Sequence, residues 1–250
     1  MPVLVVIPAR LGSTRLPHKP LQLLAGEPLI VRVARHVEEM ELADRVVVAT
    51  DAEEVGQVVR AMGTEVVFTR PEHVSGTDRV AEVAAAAGFD SYDVIVNVQG
   101  DEPFMPRAAL VGALARVQTG DDVGTAAAPL DPAEGDDPAR VKVVCDMKGR
   151  ALYFSRARIP HWRDGGDAPA GTWWQHLGLY AFRRAALMRW TTLEPTPLEV
   201  AERLEQLRAL QHGFTIGVAL LDEPAPAGID TPEDLRRAER HWRATQGATT

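Results

Sequence analysis

The feature that most restricts the fold is an alternation. Four times before about residue 117, a short apolar run is followed by a stretch with helical periodicity. Residues 3–7 form the first run, ended by Pro8, and read as a buried strand. Residues 9–19 contain Gly12, Ser13, Thr14 and Pro17 and read as a loop. Pro28 is placed to open a helix with Leu29, Ile30, Val33 and Val37 on one face. Residues 45–50 make a second strand, after which Asp51 and Glu54 have the spacing of a capping box. Residues 65–69 make a third, followed by a loop through Ser75 and Gly76 and a helix from near Thr77 to Gly88. Residues 94–98 make a fourth, then a loop over 99–106 and a helix to about Val117. Strands that alternate with helices need crossover connections, so the expected class is α/β, a mostly parallel sheet with helices on both faces.

The pattern changes after about Leu130. Residues 141–144, 151–154 and 177–182 read as strands, the first two joined by a turn at 146–149. The Gly/Pro/Asp-rich stretch 164–171 reads as a mobile loop, and Trp173 and Trp174 beside it read as interface packing. A helix over about 198–210, a strand at 215–220 and a helix opened by Thr231 and Pro232 complete the chain. The expected organisation is a nucleotide-binding α/β domain over 1–130 and 192–250, with a smaller antiparallel or mixed block at 131–191.

Bulk properties narrow the function. The net charge of −8 argues against a nucleic-acid surface, which needs a basic stripe. A single cysteine, Cys145, rules out an intrachain disulfide and a Cys-rich zinc site. The apolar run at the start is too short for a signal sequence or a membrane span, and no later apolar run is long enough to cross a bilayer, so a cytoplasmic location without a membrane partner is the expectation.

Four segments carry possible chemistry. The loop after the first strand offers backbone N–H groups, Ser and Thr hydroxyls and the cations Arg10, Arg15 and Lys19, which together suit a triphosphate. It matches neither GxxxxGKS/T nor GxGxxG, so the common ATPase and dehydrogenase readings lose support. In Gln99-Gly100-Asp101-Glu102-Pro103, Asp101 is either a hard oxygen ligand for Mg²⁺ or a turn residue capping the next helix. Asp230, before Thr231 and Pro232, is a helix-start residue and a candidate second carboxylate. Ser75, Gly76 and Arg79 stand at a helix start, where backbone donors and a guanidinium could meet a nucleotide.

Taken together, the segments IPARLGSTRLPHKPL, VATD, SGTDR, VNVQGDEP, VKVV, ALYFSRARIP, QHLGLYAF, LEQLR and GIDTPEDL resemble the 3-deoxy-manno-octulosonate (Kdo) cytidylyltransferases over nearly the whole chain. That resemblance implies a Rossmann-like nucleotide-binding sheet with a smaller block that builds a homodimer. It implies CMP transfer from CTP to Kdo for lipopolysaccharide core synthesis, with Mg²⁺ as cofactor. Arg10, Ser13 and Lys19 would hold the triphosphate; Gln99, Ser75, Gly76 and Arg79 the cytidine. Asp101 and Asp230 would bind the metal and, with Lys19 and Arg10, serve catalysis. Gln99, Arg156, His176, Tyr180, Glu205 and Gln206 would receive the acidic sugar. His18 stands where the family pattern RLPGKP has Gly, and a side chain there could alter the loop conformation or the phosphate affinity. Other readings weighed are a cytidylyltransferase for 8-amino-Kdo or a sialic acid, and a non-catalytic nucleotide-binding regulator.

Overall fold

The computed structural model of the chain describes residues 1–163 and 168–246. In chain order its elements begin with β1 Val3–Ala9, β2 Leu23–Leu24, β3 Glu27–Pro28, α1 Leu29–Glu39, β4 Arg45–Thr50, α2 Glu53–Ala61, β5 Glu65–Phe68, α3 Gly76–Ala85 and β6 Val94–Val98. They continue with α4 Arg107–Gln118, β7 Val123–Pro129, β8 Lys142–Cys145, β9 Ala151–Ser155, β10 Trp174–His176, β11 Leu179–Arg183 and α5 Arg184–Trp190. Last come α6 Pro197–Glu202, α7 Gln206–Gln211, β12 Ile216–Leu220 and α8 Pro232–Gln246. The chain forms two compact units, residues 1–104 with 226–250, and residues 105–225. No described helix is long and apolar enough to cross a membrane.

The first unit holds the parallel strands β5-β4-β1-β6. β1 is buried along its length, which is why it reads as a continuous apolar run. The chain lays β4 and β5 on one side of β1, then returns to place β6 on the other. Loops leaving β1 and β6 therefore part at a switch point of strand order, the usual place for a ligand crevice. Pro8 does not end β1, as the sequence suggested, but lies inside it, paired with Ala49. The ladder to β6 stops at Val6, so the missing N–H breaks no bond on that side.

Helix α1 buries Leu29, Ile30, Val33 and Val37, as its periodicity predicts. The expected capping box of α2 does not form. Ala52 is the N-cap, without a side-chain hydrogen bond, and the Asp51 carboxylate instead meets Arg79 at 3.3 Å. Helix α3 stops at Ala85, with Gly88 turning at φ +89°. The Arg/Glu-rich face of α8 is solvated and pairs internally, but its other face is docked. Arg32 stacks 4.2 Å over Trp242, and Glu239 Oε1 accepts from Ala25 N at 2.6 Å.

The second unit holds β11-β7-β10-β8-β9 in antiparallel pairs, with β12 added parallel to β7. The β8–β9 turn forms as expected, with Asp146 Oδ1 accepting from the Lys148 and Arg150 amides and Gly149 at φ +71°. Strand β7 was not legible, because Gly and Ala are weak strand formers. Their smallness is required by α4: a Cβ on Gly124 would lie 2.0 Å from Ala113 O. The strand expected over 177–182 is β11, which begins only at Leu179; β10 precedes the expected range, with Leu177 and Gly178 between the two. The helix expected over 198–210 is two, split where Arg203 takes φ 54°.

Because α4 packs on β7, β11 and β12, this unit runs from Met105 to Ala225 rather than over 131–191. Trp173 is a core residue here, with Nε1 donating to Pro160 O at 3.0 Å and Arg158 stacked 5.0 Å from its ring. Of the stretch expected to be a mobile loop, residues 164–167 lie outside the described residues.

Candidate active site

A cleft of about 300 Å³ opens at the carboxyl ends of β1 and β6 in the first unit. Pro8 and Ala9 at the end of β1 and the loop from Arg10 to Pro20 form one wall; Ser75, Gly76, Arg79, Gln99, Gly100, Asp101 and Asp230 complete it. Every residue that the sequence assigned to phosphate, cytidine or metal therefore lines this one cleft.

Local structure explains the convergence. After β6 the chain turns at once, with Glu102 N donating to Gln99 O at 3.2 Å. Gly100 is needed in that turn, since a Cβ there would lie 2.8 Å from Pro8 O. The Asp101 carbonyl accepts from Ile229 N at 2.9 Å, which ties the segment before α8 to this turn. Thr231 and Asp234 cap α8 reciprocally: Asp234 N donates to Thr231 Oγ1 at 3.2 Å, and Asp234 Oδ2 accepts from Thr231 N at 2.9 Å. Asp230 is thereby released from capping and turns its carboxylate inward. Asp101 is not a helix cap either, because α4 begins only at Arg107 behind Pro106.

The two carboxylates meet on one cation. Lys19 Nζ lies 2.5 Å from Asp101 Oδ2 and 2.9 Å from Asp230 Oδ1, and Arg15 reaches Asp230 Oδ2 at 3.0 Å. Burial by itself lowers the Lys19 ammonium's pKa, but Asp101 and Asp230 outweigh it and hold it above its ordinary value. Burial likewise raises the Asp230 carboxyl, yet Lys19 and Arg15 prevail and hold it below its usual range. Lys19 opens a short 3-10 turn whose N-cap, His18, sits at φ 52°. That region favours Gly, so His18 keeps the backbone conformation a glycine would take instead of changing it.

The remaining cradle residues differ in freedom. Arg10 is exposed and makes one long bond, 3.4 Å, to Val74 O. Ser13 Oγ accepts from Leu16 N at 3.3 Å. Ser75 caps α3, accepting from Asp78 N at 3.1 Å. Arg79 is not a surface arginine: it is buried, bonded to Thr69 Oγ1 and paired with Asp51. The Gln99 amide lies against Gly76, where a Cβ would come within 3.6 Å of Gln99 Oε1.

The residues expected to receive the sugar, Gln99 apart, lie in the second unit. Thr125 Oγ1 donates to Leu179 O at 2.7 Å, so its one proton is committed. The His176 Nε2, 2.9 Å from that hydroxyl, must then be the donor, leaving Nδ1 as an acceptor. Burial lowers the His176 pKa and keeps the ring neutral. Its ring lies 5.0 Å from Phe154 and 5.3 Å from Tyr180. Burial and then the charge of Glu205 raise the Tyr180 phenol, which places Glu205 in the same neighbourhood. Gln206 is buried at the head of α7. Arg156 differs, because its guanidinium is turned to main-chain carbonyls of Glu202, Pro138 and Arg203.

Sequence reasoning gave Arg15 no partner, although it pairs with Asp230. The spacing of Thr231 and Asp234 could have revealed the cap that frees Asp230. No sequence signal announces the Ile229–Asp101 hydrogen bond.

A parallel sheet with a cationic loop and paired carboxylates on one rim is equipment for nucleotidyl transfer. The family model for cytidylyltransferases matches residues 4–216. A curated relative from Gemmatimonas aurantiaca, 3-deoxy-manno-octulosonate cytidylyltransferase, is 53% identical over 100% of this chain and 98% of its own. A protein of that name from Halorhodospira halophila is 47% identical over 97% of both chains. The chain therefore belongs to the cytidylyltransferase family, and within it to the 3-deoxy-manno-octulosonate cytidylyltransferases. A solved CMP:2-keto-3-deoxy-manno-octonic acid synthetase complexed with CTP superimposes with a TM-score of 0.89 and 36% identity, covering 98% of this chain and 100% of that one. A putative glucose-1-phosphate thymidylyltransferase from Bacillus anthracis, in complex with a sucrose, shares the fold at a TM-score of 0.65 and 14% identity over 97% of this chain and 95% of that one.

Proposed function

We infer that the protein transfers CMP from CTP to 3-deoxy-D-manno-octulosonate, giving CMP-Kdo and pyrophosphate. The observation that carries this reading is the convergence of Lys19, Asp101 and Asp230 in the cleft where β1 and β6 diverge. Family membership over residues 4–216 supports it.

In the reaction, the sugar's anomeric oxygen attacks the α-phosphorus. The bond from that phosphorus to the bridging oxygen breaks, and pyrophosphate leaves with the electron pair. Arg10, Ser13 and Lys19 bind the triphosphate and offset its charge. The exposed Arg10 can turn to the phosphates at little cost, whereas Lys19 must give up its carboxylate contacts. Gln99, Ser75, Gly76 and Arg79 hold the cytidine, with Arg79 fixed by Asp51 and Thr69. His176, Tyr180, Glu205 and Gln206 receive the sugar. Holding both reactants in line supplies most of the rate enhancement.

Mg²⁺ fits Asp101 and Asp230. Their oxygens already converge on one cation, the Lys19 ammonium. Among the described residues no group of three or more His, Cys, Asp or Glu side chains could hold a metal ion. Mg²⁺ is commonly held by one or two carboxylates with substrate phosphates completing its shell. When bound there it would stabilise charge on the α-phosphate and lower the pKa of the attacking hydroxyl. We propose a cytoplasmic location and, on the family resemblance alone, a homodimer; light scattering of the purified protein tests the dimer.

The deciding experiment is pyrophosphate release from CTP with Mg²⁺ and a panel of Kdo, 8-amino-Kdo and a sialic acid. Release with Kdo in clear preference is expected. Preference for another sugar, or nucleotide binding without release, would overturn the reading.

A further inference from the structure

A guanidinium can serve an anionic ligand only with N–H groups it has not already committed. Arg156 follows β9 in the second unit, and each of its three guanidinium nitrogens donates one N–H to a main-chain carbonyl, which commits three of its five. Nε donates to Glu202 O at 2.8 Å, Nη1 to Pro138 O at 2.9 Å and Nη2 to Arg203 O at 3.2 Å. Two of these acceptors flank the point where α6 ends. A helix end leaves carbonyls without partners, and here they are satisfied by a side chain from a distant strand.

The contact is reciprocal. Glu202 Oε2 accepts from Arg156 N at 2.9 Å, and Glu202 Oε1 accepts from Ser155 Oγ at 2.6 Å. The Arg156 carbonyl is held in turn by the buried Lys142 ammonium at 2.5 Å, which also donates to Asp137 O at 3.0 Å. Next to this knot Arg203 takes φ 54°, and the chain then presents Glu205 and Gln206 at the start of α7. A non-glycine residue persists in the left-handed region only where its surroundings fix it.

We propose that Arg156 and Glu202 are positioning residues: they clamp the α6–α7 break and so set Glu205 and Gln206 for the acidic sugar. This rests on the functional reading above and adds a positioning contact to it. Lys142 braces the clamp from below.

The test compares Arg156→Lys, Arg156→Met, Glu202→Gln and the Arg156→Met/Glu202→Gln pair. Each single change is expected to raise KM for Kdo about tenfold or more while KM for CTP stays within about twofold, since a displaced binding group costs on the order of tenfold to a hundredfold. The double variant is expected to lose little beyond the worse single one, because both act through one contact. Arg156→Lys keeps the charge but cannot bridge three carbonyls, so it is expected to fail like Arg156→Met. Rescue by Lys, multiplying losses in the double variant, or a Glu202→Gln enzyme with unchanged KM for Kdo would each overturn the clamp. Amide hydrogen exchange over 203–211 gives an answer without turnover: faster exchange in Glu202→Gln is expected, and an unchanged rate contradicts the proposal. If the unsubstituted enzyme releases no pyrophosphate with any sugar, the functional reading falls, while hydrogen exchange still decides the clamp.

Discussion

The two units use the same kinds of residue in opposite ways. In the first, Lys19, Arg15, Asp101 and Asp230 meet side chain to side chain in an open cleft, where a charged ligand can compete for each of them. In the second, Arg156 and Glu202 are bound largely to the main chain and hold the framework. Whether a charged group is available to a ligand depends on how many of its hydrogen bonds are already made, and residue type does not reveal that number.

If the first unit carries the chemistry, Asp101→Asn has the largest effect. Turnover is expected to drop by about a hundredfold or more with the melting temperature nearly kept, as for removal of a preorganised electrostatic group. Near-normal CMP-Kdo formation would end the metal role. Lys19→Ala comes next. It is expected to lower kcat/KM for CTP by roughly tenfold to a hundredfold and to leave KM for Kdo alone, because a charge-assisted contact to phosphate is lost. An unchanged kcat/KM for CTP would remove Lys19 from the cradle.

Stability changes sharpen the contrast. Gly124→Ala puts a Cβ 2.0 Å from a backbone oxygen of α4, and Gly100→Ala puts one 2.8 Å from Pro8 O. Overpacking of this kind costs about 1–3 kcal/mol, so Gly124→Ala is expected near the upper end and Gly100→Ala near the lower. Denaturant midpoints check both. If they came out in the reverse order, the α4–β7 contact would not be the tighter of the two.

The smallest effect is in pH. Asp230 is held below the ordinary carboxyl pKa of 3.8, so its pairing stabilises the fold above that pH and is lost as pH falls through the depressed value. Lys19 is held above 10.5, so its share is present below that value and is lost as pH rises through the folded-state pKa. The melting-temperature difference between the unsubstituted protein and Asp230→Asn should therefore be level between about pH 4.5 and 9.5 and should change below pH 3.8. A difference that does not vary with pH down to acid unfolding would show that the pair contributes nothing.

How much was legible follows the same division. Strands β1, β4 and β6 are largely buried runs and β5 a half-exposed one, all rich in β-branched residues, and that pattern marked them. The rim residues were legible because loops after such strands carry ligands in this fold class. Strand β7 was hidden because the packing that demands Gly and Ala comes from α4, not from its own pattern. The break at Arg203 was hidden because its carbonyls are satisfied by Arg156, 47 positions away. Asp230 stood between: its helix-start role was visible, but the cap made by Thr231 and Asp234 had to be seen before its carboxylate was known to be released from capping and turned to Lys19 and Arg15.

The most direct test of the account is anomalous diffraction from crystals grown with CTP and Mn²⁺ as the probe cation. A peak bridging the carboxylates of Asp101 and Asp230, with the triphosphate against Arg10, Ser13 and Lys19, is the predicted result. A nucleotide seated in the cleft with its ion bound away from both carboxylates would contradict it.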